Sequence, residues 1–279
     1  MNETKKAIGM LDSGVGGLTV AKEVMKTMPA EKVIYFGDTL HLPYGPKPKE
    51  EVREYVYNII EYLEERNVKT IILACNTATS MLLKETRKII NLPLFGTIDG
   101  VAKSVKKETK NKKIGVIGTT GTINSEAYQD ALRKESNEFE IYAKACPEFV
   151  GLVESGKFDG PEVEKIIHKY LDPLKENKID TLILGCTHYP YLMPVINRIM
   201  GEDVKLINPA KTMAVKAKNI MAVKGMISGK DEEPIDFHEH EFYVSDIAKI
   251  SLDFLNKGTE FLGLPHLEFK EKDIFVEDQ

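Results

Sequence analysis

Ile71-Ile-Leu-Ala-Cys-Asn-Thr77 and, far downstream, Leu182-Ile-Leu-Gly-Cys-Thr-His188 are the two stretches that decide how this 279-residue chain folds. Each is a short, unbroken apolar run that stops at a cysteine and continues into small polar residues. A run of this kind, without alternation, fits a strand buried on both faces, as strands of parallel sheets are. A fainter echo supports the pairing. Ile8-Gly-Met-Leu-Asp-Ser-Gly14 resembles Ile114-Gly-Val-Ile-Gly-Thr-Thr120, and the two separations, 106 and 111 residues, are nearly equal. The chain therefore reads as two similar halves, each ending a strand in a cysteine.

Working outward, runs of the same type occur at Val33–Phe36 and Val204–Ile207, with a short strand candidate at Phe242–Val244. Helical patterns lie between them. The clearest spans Lys49–Arg66, where Val52, Tyr55, Val56, Ile59, Ile60 and Leu63 trace one apolar stripe and Glu50, Glu51 and Glu54 stay off it. A second helical pattern surrounds Ile247–Leu255, and Met213–Met226 reads as a core-facing helix. Ser228–Pro234 reads as an exposed loop. Alternating strands and helices argue an α/β fold with mainly parallel sheets flanked by helices.

Length favours two lobes. The 43 acidic residues exceed the 38 basic ones, and a net charge of −5 gives no electrostatic reason to expect nucleic-acid or membrane-surface binding. No apolar run approaches the roughly 18 residues of a membrane span. The polar start, Met1–Lys6, lacks a signal-peptide core, so a cytoplasmic location is expected. Three cysteines cannot all pair within one chain, and free thiols are expected in that compartment.

Cys75 and Cys186 each follow a buried strand and precede a helical pattern. In open α/β sheets ligands bind outside the carboxyl ends of strands, and a helix N-terminus favours a thiolate. A lone cysteine is more often a small core residue; two at equivalent strand ends favour chemistry. Asp12-Ser-Gly-Val-Gly-Gly17 lies between a strand and a helix. It suits an anion cradle of backbone N–H groups, or a turn that needs glycine for its backbone angles. It matches no nucleotide-binding motif. Thr119-Thr-Gly-Thr122 is a similar loop in the second half. His238-Glu-His240 lacks further ligands at metal-binding spacing and reads as a solvated loop, so no metal is expected.

Taken together, Asp12-Ser-Gly-Val-Gly-Gly-Leu18, Tyr35-Phe-Gly-Asp-Thr39, Pro43-Tyr-Gly45, Ala74-Cys-Asn-Thr-Ala78, Gly121-Thr122 and Gly185-Cys-Thr-His-Tyr-Pro190 resemble the glutamate racemases of the aspartate/glutamate racemase family. The resemblance runs in order over residues 8–210. It implies two pseudo-symmetric α/β lobes with the active site in the cleft between them. Residues 1–97 and 212–279 would form the first lobe and 98–211 the second. It implies that Cys75 and Cys186 are the acid–base pair, and that Asp12 and His188 tune or orient the thiols. Ser13, Tyr44, Gly45, Asn76, Thr77 and Thr187 would hold the substrate, with Thr119, Thr120 and Thr122 near them. Glu154 matches an acidic position beside the second cysteine, and Cys146 a cysteine without a catalytic role. The family uses no cofactor, acts on D- and L-glutamate, supplies D-glutamate for peptidoglycan and forms homodimers. By the same resemblance, Cys75 takes the α-proton of D-glutamate and Cys186 that of L-glutamate.

Two segments depart from the family pattern: Ile98-Asp-Gly100, where a glutamate followed by proline is expected, and Ile207-Asn-Pro-Ala210, where an Asp-Ser pair is frequent. Both lie near the expected lobe junctions. The residues themselves leave other readings open. Aspartate is the alternative substrate. Cys186 with His188 could serve a cysteine hydrolase or decarboxylase with one essential thiol. Two lobes around a cleft would also suit a non-catalytic amino-acid-binding module.

Overall fold

A computed structural model describes residues 3–228 and 233–275; most of the loop expected at 228–234 and the first two residues of the chain lie outside them. The strands are β1 (Ile8–Asp12), β2 (Val33–Gly37), β3 (Thr70–Leu73), β4 (Leu94–Gly96), β5 (Lys113–Gly118), β6 (Glu140–Ala145), β7 (Thr181–Gly185), β8 (Lys205–Ile207), β9 (Glu241–Val244) and β10 (Phe269–Glu271). The early helices are α1 (Leu18–Thr27), α2 (Lys49–Glu65), α3 (Asn76–Ile89), α4 (Val101–Glu108), α5 (Thr120–Asn124) and α6 (Ala127–Glu135). They are followed by α7 (Glu148–Glu154), α8 (Pro161–Glu176), α9 (Met193–Met200), α10 (Pro209–Val223) and α11 (Leu252–Leu262).

One sheet has the order β10-β9-β2-β1-β3-β4 and the other β6-β5-β7-β8. Every strand pair in both is parallel. The second sheet reproduces the β2-β1-β3-β4 portion of the first, strand for strand. The sequence echoes map onto this match. Ile8 of β1 sits beside Thr70 of β3, and Ile114 of β5 beside Thr181 of β7. Each cysteine thus leaves the carboxyl end of a central strand.

Burial explains why these strands were legible. β1, β2, β3 and β7 are buried throughout. The exposed edge strand β6, Glu-Ile-Tyr-Ala-Lys-Ala, carries polar residues and no continuous run. The α2 stripe is inside, with Val52, Val56, Ile59 and Leu63 fully buried. The expected helix at 247–255 is displaced: a short 3-10 turn covers Ile247–Lys249, and α11 begins only after the Ser251 hydroxyl caps it by accepting the Phe254 N–H. The largest apolar cluster runs from Met10 in β1 through Leu184 in β7 to Phe254 in α11. It joins the two sheets, while the opposite face of each sheet keeps a smaller core of its own, around Leu11, Ile59 and Leu73 in one and Val116, Leu132 and Ile183 in the other. Among the described residues no helix is long and apolar enough to cross a membrane.

Candidate active site

Cys75 and Cys186 line one cavity of about 20 Å³, together with Ser13, Tyr44, Gly45, Asn76, Thr77, Thr119, Thr187 and His188. Leu42, Pro43 and Val150 complete its wall. The chain puts residues from five loops here because each follows a parallel strand or opens a helix at the same end of its sheet. Space of this size holds about one water molecule. Two hydrogen bonds join the halves of the chain beside the cavity. Gly121 donates its N–H to the Gly45 carbonyl at 3.0 Å, and the Thr77 and Thr119 hydroxyls meet at 2.9 Å.

Cys75 is itself the N-cap of α3. Its sulfur accepts the Ala78 N–H at 3.5 Å, and its thiol donates to the Ser13 hydroxyl at 3.6 Å. Burial, reinforced by the negative charge of Asp12, pushes this thiol up to about 12 despite its hydrogen bonds to Ala78 and Ser13. At neutral pH Cys75 rests as a thiol. The helix N-terminus alone does not make it a thiolate, because desolvation outweighs the dipole.

Cys186 has a different neighbour. Its sulfur lies 3.7 Å from His188 Nδ1, and the far nitrogen of that ring hydrogen-bonds Glu154 at the end of α7. Burial disfavours the charged imidazole, yet the bonds to Cys186 and Glu154 outweigh it and hold His188 well above its ordinary value. The two nitrogens of the ring thus bridge Cys186 and Glu154. Glu154 reaches the site only through His188.

Asp12 stands behind the cavity, fully buried. One oxygen accepts the Gly17 N–H at 2.7 Å, and the other has no hydrogen-bond partner among the described residues. Burial raises its carboxyl to about 6, against the opposing pull of His188 and two backbone donors. The folded value lies above the unfolded one. Its stabilising contribution is therefore full below its ordinary value of 3.8 and is lost as pH rises through about 6. Asp12→Asn should consequently stabilise the fold by about 2–3 kcal/mol near pH 7.5 and by little near pH 4. Urea unfolding at the two pH values measures this. A variant less stable than the parent near neutrality contradicts the assignment.

The glycine loop does not need its glycines for left-handed backbone angles. None of its glycines has a positive φ. They are needed for close approach: a Cβ on Gly16 would collide with the His188 ring and come within 2.8 Å of Thr187 Oγ1, and one on Gly17 would strike Asp12 and the Tyr35 hydroxyl. The loop turns its Gly17 N–H onto Asp12 and not into the cavity. From the same segment, Thr19 donates its hydroxyl to the Thr187 carbonyl at 2.9 Å.

Other residues sit differently from their expected roles. Tyr44 is in the wall, but its hydroxyl donates to Asp38 at 2.6 Å, which leaves its backbone as the part available to a ligand. Asp38 also accepts from His41 and Ser245. Thr119 faces the cavity, whereas Thr120 is exposed on the far side of the α5 turn and Thr122 is spent on the Thr119 hydroxyl. Cys146 is buried elsewhere, its thiol donating to the Lys144 carbonyl, and burial pushes it strongly up. His240 accepts the Val33 N–H at 3.1 Å. At the two departures from the family pattern, Asp99 takes the Gly96 N–H and pairs with Arg87 and Lys216, and Asn208 caps α10. Sequence reasoning assigned no role to Asp38, although it lies inside the quoted Tyr35–Thr39 motif. Leu42 and Val150 carry no signal beyond being apolar.

Comparison with known proteins bears directly on this arrangement. A family model for Asp/Glu/Hydantoin racemases matches residues 19–217, which include both cysteine segments. A glutamate racemase of Exiguobacterium sibiricum is 43% identical over 255 residues, covering 90% of this chain and 93% of its own length. The solved structure of glutamate racemase isoform RacE1 from Bacillus anthracis has a TM-score of 0.90 at 36% identity, covering 98% of this chain and 100% of its own. The glutamate racemase of Francisella tularensis, solved in complex with D-glutamate, has a TM-score of 0.85 at 33% identity, covering 98% and 99%. With likeness of this extent over nearly its whole length, the chain belongs to the Asp/Glu/hydantoin racemase family, as an isomerase of the glutamate racemase group.

Proposed function

We infer that the chain interconverts L- and D-glutamate by passing an α-proton between two thiols, and needs no cofactor to do so. The observation that carries this is the convergence of Cys75 and Cys186, from matching strands of two matching sheets, on one small cavity. An α-hydrogen must leave one face of the carbon and return to the other. Groups from two lobes supply two faces; a single thiol does not.

Each thiol has its own means of handling a proton. Cys75, resting as a thiol, is ready to donate as L-glutamate becomes D-glutamate. In the opposite direction its proton must first be removed, and the carboxylate of Asp12, whose charge acts on this thiol, is the basic candidate. His188 Nδ1 holds or returns the proton of Cys186, and Glu154 fixes the ring. Acid–base help of this kind supplies about 10²–10⁴-fold. The remainder comes from positioning and from donors aimed at the carboxylate as charge spreads onto it: Ser13, Asn76, Thr77, Thr187 and the first amides of α3. A cavity this small must widen to admit an amino dicarboxylate, and its closing again around the substrate would exclude water.

The same proposal places the protein in the cytoplasm as a homodimer that supplies D-glutamate for peptidoglycan. It assigns residues 1–97 and 212–279 to one lobe and 98–211 to the other. The test is circular dichroism of D-glutamate, L-glutamate and D-aspartate with pure protein and no added cofactor. Both glutamate signals should decay to zero while D-aspartate persists. Faster decay of aspartate would reassign the substrate, and binding without decay would leave a non-catalytic module.

A further inference from the structure

Asn76, next to Cys75, is held by two donors on one atom. Its Oδ1 accepts the Thr97 hydroxyl at 2.9 Å and, in a second bond, the Tyr128 hydroxyl. A carbonyl oxygen has two acceptor sites, so this one is saturated. With the oxygen engaged by both hydroxyls, the NH₂ group is directed to the other side. That group makes no hydrogen bond among the described residues, and Asn76 lines the cavity. Burial raises the Tyr128 phenol above its ordinary range, consistent with a permanent donor.

Tyr128 comes from α6, in the half of the chain that carries Cys186. Its buried ring packs in the cluster of Val116, Leu132 and Ile183. A Cβ on Gly185 would lie 3.4 Å from that ring, so the backbone leading into Cys186 rests directly against it. One side chain therefore touches the residue after the first cysteine with its hydroxyl and the residue before the second with its ring. No local spacing in the sequence connects these positions.

We propose that Tyr128 is a positioning residue that, with Thr97, locks the Asn76 amide so that its NH₂ group meets a carboxylate of an amino dicarboxylate substrate. The proposal rests on the racemase function inferred above. An amide free to rotate would present its oxygen to the carboxylate part of the time, which repels it. The lock costs nothing at binding, because both donors are already in place.

Steady-state racemisation of D-glutamate tests this with the full-length protein. Tyr128→Phe keeps the ring and removes one donor. KM should rise about five- to tenfold, with a much smaller change in kcat. Thr97→Val should act in the same direction, and Thr97→Ser, which restores the hydroxyl, should return KM to the parent value. A role in packing alone would lower the melting temperature without this KM signature or the serine rescue. Wild-type KM in a folded Tyr128→Phe, or a rise in Thr97→Ser equal to that in Thr97→Val, overturns the proposal. If Tyr128→Phe fails to fold, the two Thr97 variants decide the question. An inactive parent protein would instead sink the functional reading, and this proposal with it.

Discussion

Replacing either Cys75 or Cys186 by alanine should lower racemisation by at least about 10³-fold, in both directions. On the proposed mechanism each substitution removes the thiol that exchanges a proton on its face of the substrate. The loss should be catalytic and not structural. Both side chains are small, and Cys75→Ala costs only the weak sulfur cap on Ala78, about 1 kcal/mol or less. Far-ultraviolet circular dichroism should be unchanged. Cys146→Ala is the internal control, because its thiol faces the Lys144 carbonyl away from the cavity. It should retain racemisation within about twofold while losing roughly 1 kcal/mol of stability from the emptied core site. The comparison also separates mechanisms. A hydrolase or decarboxylase built on Cys186 and His188 would survive Cys75→Ala. Substantial activity in that variant would remove Cys75 from the reaction, and collapse of a well-folded Cys146→Ala would overturn its structural assignment.

The fold was legible where burial is symmetric and obscure where it is not. Strands covered on both faces are apolar at nearly every position, so β1, β2, β3 and β7 show in the sequence as nearly continuous runs. The edge strand β6 faces solvent, and its Tyr142, Lys144 and Glu140 hide it. β4 and β10 are three residues each, too short for a pattern. The start of α11 was misplaced because Ile247 and Ile250 mimic a helical stripe, while the Ser251 cap sets the real beginning.

Within the site, what could be read were residues at strand ends. Cys75, Asn76 and Thr77, and Cys186, Thr187 and His188, reach the cavity because a parallel strand delivers whatever follows it to that edge. Contacts made across the fold could not be read. The capture of the Tyr44 hydroxyl by Asp38 depends on how an irregular loop closes. Thr119 and Thr120 are adjacent in sequence, but one caps α5 at the cavity and the other begins the helix on its exposed side. The close seat of Gly16 against His188 joins segments far apart in the chain. It is a packing requirement that a glycine in isolation cannot announce.

The strongest isotopic expectation follows from placing the thiols in separate lobes, where neither reaches both faces of the α-carbon. When D-glutamate is incubated in D₂O and stopped early, Cys75 removes the α-hydrogen while Cys186 delivers a hydrogen already exchanged with solvent. Nearly all L-glutamate formed should carry deuterium. Unreacted D-glutamate should retain its hydrogen, because reversal returns the same proton before Cys75 exchanges. Starting from L-glutamate should mirror the pattern with the cysteines' roles reversed. A single mobile base would carry the substrate's own hydrogen across and could also label the starting enantiomer. Proton NMR or mass spectrometry of separated enantiomers at a few per cent conversion makes the measurement. Fully deuterated early product beside undeuterated substrate is the result this account requires; early L-glutamate retaining substantial α-hydrogen would contradict it.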